Sequence, residues 1–239
     1  MLLEEMTMEE FSAGLTKTKT LAVPYGTLEA HGRHLPLNTD TLTMCRVLEE
    51  AAREADFFIA PPVHYGVCTS TGQHPGSIGI TPPTLRRVTT DIVNDAYHRG
   101  LRNILLISGH GGGAHVAAMK EAAELMAAAL PDLTIAALSI YDVIWDDLTR
   151  LAETENDSHA GEMETSVILH LAPNLVKGRS AEEYPKLLNP LIYADKQSRW
   201  PGAVWGNPEK ATAEKGKELF TAMVRETLDI LKKMDKAGL

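Results

Sequence analysis

The chain has only two cysteines, Cys45 and Cys68, and their spacing suggests neither a disulfide framework nor a CxxC site. Any metal centre it builds therefore uses nitrogen and oxygen rather than thiolate. Aromatic residues make up only 5% of the sequence, so the core has to come from Leu, Ile, Val, Ala and Met. No apolar run approaches the ~18 residues needed to cross a bilayer, and MLLEEMTMEEF opens acidic where a secretory signal opens basic. A cytoplasmic protein with no membrane partner is the expectation. Basic charge is also scarce: the net charge is −9, and the densest basic pair, Arg86-Arg87, falls on an expected helix. That excludes nucleic acid as a general partner, because its phosphates need clustered Lys and Arg.

What is present is alternation. Short apolar runs at Leu21–Gly26, Phe57–Ala60, Asn103–Ser108 and Leu133–Ile140 alternate with longer helical patterns. This is the signature of βα units around a mostly parallel sheet. Asn103–Ser108 is apolar on both faces, as a central parallel strand should be. Asp40 is placed to cap a helix carrying Leu42, Cys45, Leu48 and Ala52 at helical spacing. A further helix is expected from about Ala160, and an amphipathic one from Glu209 to Met234. Residues 141–158 read as irregular, and segment 173–207, with its prolines and tryptophans, has little periodicity. Composition shows no break, so residues 1–239 are expected to form one domain.

In an open parallel sheet, ligands bind outside the carboxyl ends of the strands, and the polar motifs fall there. Glu29-Ala30-His31 puts two donor side chains on one side of extended chain, and Asp40 can fold back to meet them. Spacing alone leaves open a solvated loop with a capping Asp. Ser108-Gly109-His110-Gly111-Gly112-Gly113 follows the central strand. Its glycines permit tight turns and close backbone approach to a ligand. The same stretch nearly matches the dinucleotide fingerprint as Gly109-x-Gly111-x-x-Ala114, with Asp142 late at the end of the next strand. A nucleotide-dependent oxidoreductase is therefore one alternative. In Asp157–Ser166, His159 lies at an expected helix start, where the macrodipole disfavours its protonated form, and Glu164 is about a turn further in. The polar loop Thr69–Ile78 has the composition of a pocket lining.

Together VPYGTLEAHGRHLPLNTD, SGHGGG and HAGEMETS resemble the three signature blocks of the creatininase family, in order, over residues 23–166. HPGSIGI resembles that family's PGT-containing loop. The resemblance implies a three-layer α/β/α fold and a site for one or two divalent ions (Zn, Fe or Mn). It implies Glu29, His31, Asp40, His110 and Glu164 as ligands, with Asp40 bridging the ions. His159 matches the histidine near the reacting water, and Glu162 is a second candidate proton carrier. His34, Ser77 and Gly111 are the candidate substrate contacts. A homo-oligomer such as a hexamer is also implied, with 173–207 at subunit contacts or over the pocket.

The implied reaction is hydrolysis of a small cyclic amide or formamide-type C–N bond by a metal-activated hydroxide. Metal coordination brings the pKa of water towards roughly 7. Charge also balances, since two divalent ions offset three carboxylates and one hydroxide. Creatinine-acting members carry a ligand glutamate where Gly112 stands here, and a Trp-Asp pair where Glu155-Asn156 stands. The commoner GHGGN has Gly113 in place of Asn. These departures argue against creatinine as the substrate. A non-catalytic metal- or ligand-binding homologue is the other alternative.

Overall fold

Strand residues alternate between two apolar layers, and that alternation sets the architecture. The computed structural model describes residues 1–188 and 190–237. Among these, parallel strands run in the order β2-β1-β3-β4: β1 (Thr20–Tyr25), β2 (Phe58–Ile59), β3 (Asn103–Ser108) and β4 (Thr134–Ser139). Leu21, Val23, Ile104 and Leu106 enter one core with Phe11, Leu85, Val93 and Met119. Those partners come from α1 (Met8–Gly14), α3 (Pro82–His98) and α4 (Gly113–Ala129). Ala22, Leu105 and Ile107 enter the opposite core with Met44, Val47, Met163 and Leu219. These belong to α2 (Thr39–Ala51), α6 (Glu162–Leu171) and α7 (Ala213–Ala237), and α5 (Trp145–Leu151) adds Leu148. The fold is the expected α/β/α sandwich on a parallel sheet.

Register places the site. Tyr25 pairs with Ser108, and Ser108 with Ser139, so β1, β3 and β4 end at one level. The chain leaves β1 for β2 on one side and returns as β3 on the other. The crevice between β1 and β3 is thus the switch point where such sheets bind ligands.

Two glycines let α2 dock on that edge. A Cβ on Gly109 would lie 2.2 Å from the Asp40 carbonyl oxygen, and one on Gly26 would lie 2.2 Å from Thr41 Oγ1. Both distances are far inside van der Waals contact, so any side chain there would push the first turn of α2 off the strand ends.

Several boundaries differ from the sequence reading. Asp40 is not the cap of α2: the N-cap is Asn38, and Asp40 lies in the first turn with its carboxylate turned to the strand ends. Helix α6 begins at Glu162, so His159 precedes it in extended chain bridged to Trp205. Within 141–158, Trp145–Leu151 is helical. Residues 173–207 hold only short 3-10 turns and isolated bridges at Glu183, Trp205 and Gly206 among the described residues, consistent with their lack of periodicity.

Candidate metal centre

Glu29 and His31 follow β1, Asp40 opens α2, and His110 follows β3, so the sheet edge brings them together. His110 Nδ1 lies 2.9 Å from Glu29 Oε2 and 3.3 Å from Asp40 Oδ2. His31 Nε2 lies 3.1 Å from Asp40 Oδ1 and 3.6 Å from Glu164 Oε2. The two Asp40 oxygens therefore face different imidazoles. One donor atom from each of Glu29, Asp40 and His110 falls within 4.8 Å of the others, and the same holds for His31, His159 and Glu164. All six residues converge, and five of them are buried, with His159 only partly so.

The outer contacts orient these donors. His31 Nδ1 donates to the Glu29 carbonyl at 3.0 Å, leaving Nε2 to face Asp40 and Glu164. His110 Nε2 donates to the Val67 carbonyl at 3.3 Å, leaving Nδ1 for the carboxylates. A backbone acceptor on the far ring nitrogen is how metal-binding imidazoles are usually held. The Val67 N–H donates in turn to His115 Nδ1 at 3.1 Å. His115 is therefore a neutral ring with its proton on Nε2, 3.3 Å from Ser108 Oγ. Burial and the neighbouring His110 hold its pKa down at about 3. The Thr27 hydroxyl lies between Asp40 Oδ2 and Glu29 Oε2, and the Thr71 hydroxyl donates to Glu29 Oε1.

Electrostatics show what the donor set requires. Burial opposes charge on His31, yet Asp40 and then Glu164 lift its pKa to about 10. Burial likewise opposes charge on His110, but Glu29 and Asp40 raise it well above the ordinary value. Asp40 is held low against its burial, chiefly by His31. Three clustered carboxylates need compensating positive charge, since burying unpaired charge is very costly. Among the described residues, no Lys or Arg lines the cavity above them. Without ions, protonated imidazoles fill that need, and divalent cations fit the same donors.

His159 behaves as expected in direction but not in cause. Its pKa is lowered by burial first and by the charge on His31 second, whereas the helix starts three residues later. Its Nε2 lies 2.9 Å from the Ala30 carbonyl, and its ring packs against His31 at a 35° tilt with centroids 4.3 Å apart. The next residue, Ala160, is left-handed at φ 48° and donates its N–H to Glu164 Oε2 at 2.6 Å. A non-glycine residue in that region costs about 1–3 kcal/mol and clusters at functional sites.

The centre forms the floor of a cavity of about 720 Å³ whose lining includes Trp145, Trp200, Trp205 and Leu187. Loop Thr69–Ile78 supports it from behind. Ser70 lines the cavity, Thr71 binds Glu29, and His74 Nε2 donates to the Trp200 carbonyl at 2.6 Å.

A sequence profile of the creatininase family, described as creatinine amidohydrolase, matches residues 4–231. The chain belongs to the creatininase family. It is 31% identical over 237 residues to the mycofactocin precursor peptide peptidase of Mycolicibacterium smegmatis, covering 91% of this chain and 87% of the relative. It is 26% identical to the creatinine amidohydrolase of Pseudomonas putida, covering 95% of each. A solved structure named creatininase Mn superposes with a TM-score of 0.86 at 25% identity, covering 97% of each chain. Membership displaces the nucleotide-dependent reading of the 109–114 loop.

Three expected site residues lie elsewhere. Glu162 points away from the cavity: its carboxylate accepts from Lys215 Nζ at 2.6 Å and from Thr154 N at 2.7 Å. The reason is helical geometry, for two residues on a helix of 3.6 per turn are separated by about 200°. With Glu164 facing the site, Glu162 faces the protein. His34 is buried between Ser180 Oγ at 2.9 Å and Thr165 Oγ1 at 2.8 Å, so neither nitrogen reaches substrate. Ser77 Oγ is occupied by the Ala30 N–H at 2.9 Å. Gly111 does line the cavity. At Gly112, where creatinine-acting members carry a ligand, a Cβ would fall 2.3 Å from His110 Nε2.

Motif reading missed Thr27, Tyr141 and His115, and took Thr71 only as part of a pocket-lining loop. Thr27 was the accessible one: it precedes Glu29 by two residues and so shares its side of the extended chain.

Proposed function

We propose that this chain is a metal-dependent amidohydrolase in which Glu29, Asp40 and His110 hold one divalent ion. His31 and Glu164, with the second oxygen of Asp40, hold another. The single observation that carries this reading is Asp40, whose Oδ1 and Oδ2 face His31 and His110 separately beneath an open cavity. Zn, Fe and Mn all suit imidazole and carboxylate donors. Ions held there supply acidified water and a Lewis acid for an amide carbonyl.

This chain's own residues supply the rest. His159, with Nε2 engaged by the Ala30 carbonyl, keeps its other nitrogen free to take a proton and return it to the departing amine. Trp200 and Trp205 wall the reacting centre from bulk water. Among the described residues the cavity lining holds Glu29, Asp142, Asp157 and Glu164 and no Lys or Arg, which favours a substrate without an anionic group at that end. Small cyclic amides and formamides meet that description. A second reading, release of a residue or short fragment from a peptide, is favoured by the cavity of about 720 Å³. That is the size of pockets for drug-sized ligands.

The proposal extends to a homo-oligomer. Leu188, Leu191 and Ile192 are exposed at 67%, 60% and 93%, an apolar rim that a second copy would cover.

Metal analysis by mass spectrometry tests the reading, combined with turnover of formamides, small lactams and short peptides before and after chelation. One to two bound ions per chain, with activity abolished by chelator, is the expected result. Full turnover by metal-free protein would sink it.

A further inference from the structure

Tyr141 lies in the turn after β4, and its ring packs over the glycine loop. A Cβ on Gly111 would meet its Cδ2 at 3.4 Å. Its hydroxyl donates to Glu164 Oε1 at 3.0 Å. The other oxygen, Oε2, accepts the Ala160 N–H at 2.6 Å and faces His31 Nε2 at 3.6 Å. The terminal torsion of a glutamate is broad and roughly two-fold, so a carboxylate on a helix does not by itself choose which oxygen it presents. Here the choice is made by two donors from outside α6, one on each oxygen.

We infer that Tyr141 is a positioning residue that holds Glu164 so that Oε2 alone is presented to an ion beside His31. The inference rests on the metal-centre reading above. One donor on each oxygen pins the carboxylate plane, with Oε1 turned to the phenol and Oε2 to His31, so Glu164 would offer one oxygen to an ion held there. The phenol has one proton and gives it to Glu164, so it is not free to donate to a substrate oxygen while that bond lasts. Outer groups of this kind are typically worth 10–100-fold in metal affinity or activity.

Tyr141→Phe tests this because it removes one oxygen and keeps the ring against Gly111. Wild-type and variant holoenzymes are titrated with a zinc chelator, and kcat and KM are measured on the best amide substrate. The expected variant binds one ion as the wild type does and the other about 10–100-fold more weakly. Its kcat falls by a similar factor while KM changes little. In a Glu164→Gln background, Tyr141→Phe adds no further loss of metal affinity or turnover, since its route to the ion is already gone.

Unchanged affinity and kcat in Tyr141→Phe would overturn the inference. So would a raised KM with normal metal content, or losses that multiply in the double variant, because both place the phenol on the substrate. A wild-type protein that takes up no zinc overturns the metal reading and this inference together. That outcome is visible in the wild-type arm alone.

Discussion

Replacing Asp40 with asparagine separates a bridging carboxylate from a structural one. The residue is buried, with Oδ1 3.1 Å from His31 Nε2 and Oδ2 3.3 Å from His110 Nδ1. Two unit charges at about 3.2 Å and an effective dielectric near 20 attract by roughly 5 kcal/mol. Removing one partner of a buried pair costs about 3–5 kcal/mol by experiment. At 1.4 kcal/mol per decade, that is a loss of about 10²–10⁴ in affinity for each ion. Asparagine keeps the shape, but one of the two faces then meets an amide N–H₂ instead of an acceptor.

Helix α2 has little to lose in this exchange, because Asp40 makes no capping hydrogen bond. The assay is metal stoichiometry and affinity by calorimetry, run beside Glu164→Gln and followed by turnover. Glu164 lies with His31 and His159 and apart from the Glu29, Asp40 and His110 group, so its variant should weaken one ion where Asp40→Asn weakens both. An Asp40→Asn protein that keeps both ions within about tenfold, ~1.4 kcal/mol, and turns over normally would refute the bridging argument.

His159→Ala should keep at least the ion at Glu29, Asp40 and His110 and slow turnover by about 10²–10⁴-fold, the usual worth of a general acid or base. Loss of an ion at His31 and Glu164 would instead make His159 a ligand, as its presence within ligand range of both allows. Glu162→Gln should leave kcat per folded molecule unchanged and destabilise the fold by about 1–3 kcal/mol through the lost charged hydrogen bonds, read as a lower melting temperature. The Glu162 carboxyl is held low, against its burial, chiefly by Lys215, so its stabilisation is present above its ordinary pKa of 4.5 and is lost as pH falls through the depressed value. The melting curves of wild type and Glu162→Gln should therefore converge in acid. Light scattering should show an oligomer, and a monomer at micromolar concentration would argue that the rim of Leu188, Leu191 and Ile192 has another role.

The convergence of Glu29, His31, Asp40, His110 and Glu164 was legible because the three short blocks that carry them resemble those of one family, where spacing alone left other readings open. Strand and helix signals around Leu21, Asn103 and Gly113 put those blocks at one sheet edge. Glu162 misled because adjacency in sequence is not adjacency on a helix. Asp40 misled in the opposite sense, since an acidic residue at a helix start reads as a cap until the docking of α2 on Gly26 and Gly109 is seen. His34 and Ser77 carry polar atoms suited to a substrate, yet each is consumed by a partner over forty residues away, Ser180 for the first and Ala30 for the second. Tyr141 was hidden for the same reason: it reaches Glu164 from 23 residues upstream, with no local pattern linking them.

These two kinds of contact divide the molecule into a floor and walls. The floor is fixed by sheet register and by glycines that admit no side chain, so changes there disturb several donors at once. The walls come from α5 and from Leu187, Trp200 and Trp205, whose segment meets the rest through backbone bonds such as Trp205 N to the His159 carbonyl at 2.7 Å and Gly32 N to the Ala203 carbonyl at 2.9 Å. A wall residue such as Trp145 or Leu187 can change without moving a donor of the floor. This makes sense of relatives named for a peptide and for creatinine aligning along nearly the whole chain. On the proposed reading the chemistry would reside in parts that cannot vary independently, and the choice of amide in parts that can. Substitutions at Trp145 or Leu187 should accordingly shift KM between amide substrates while metal affinity holds.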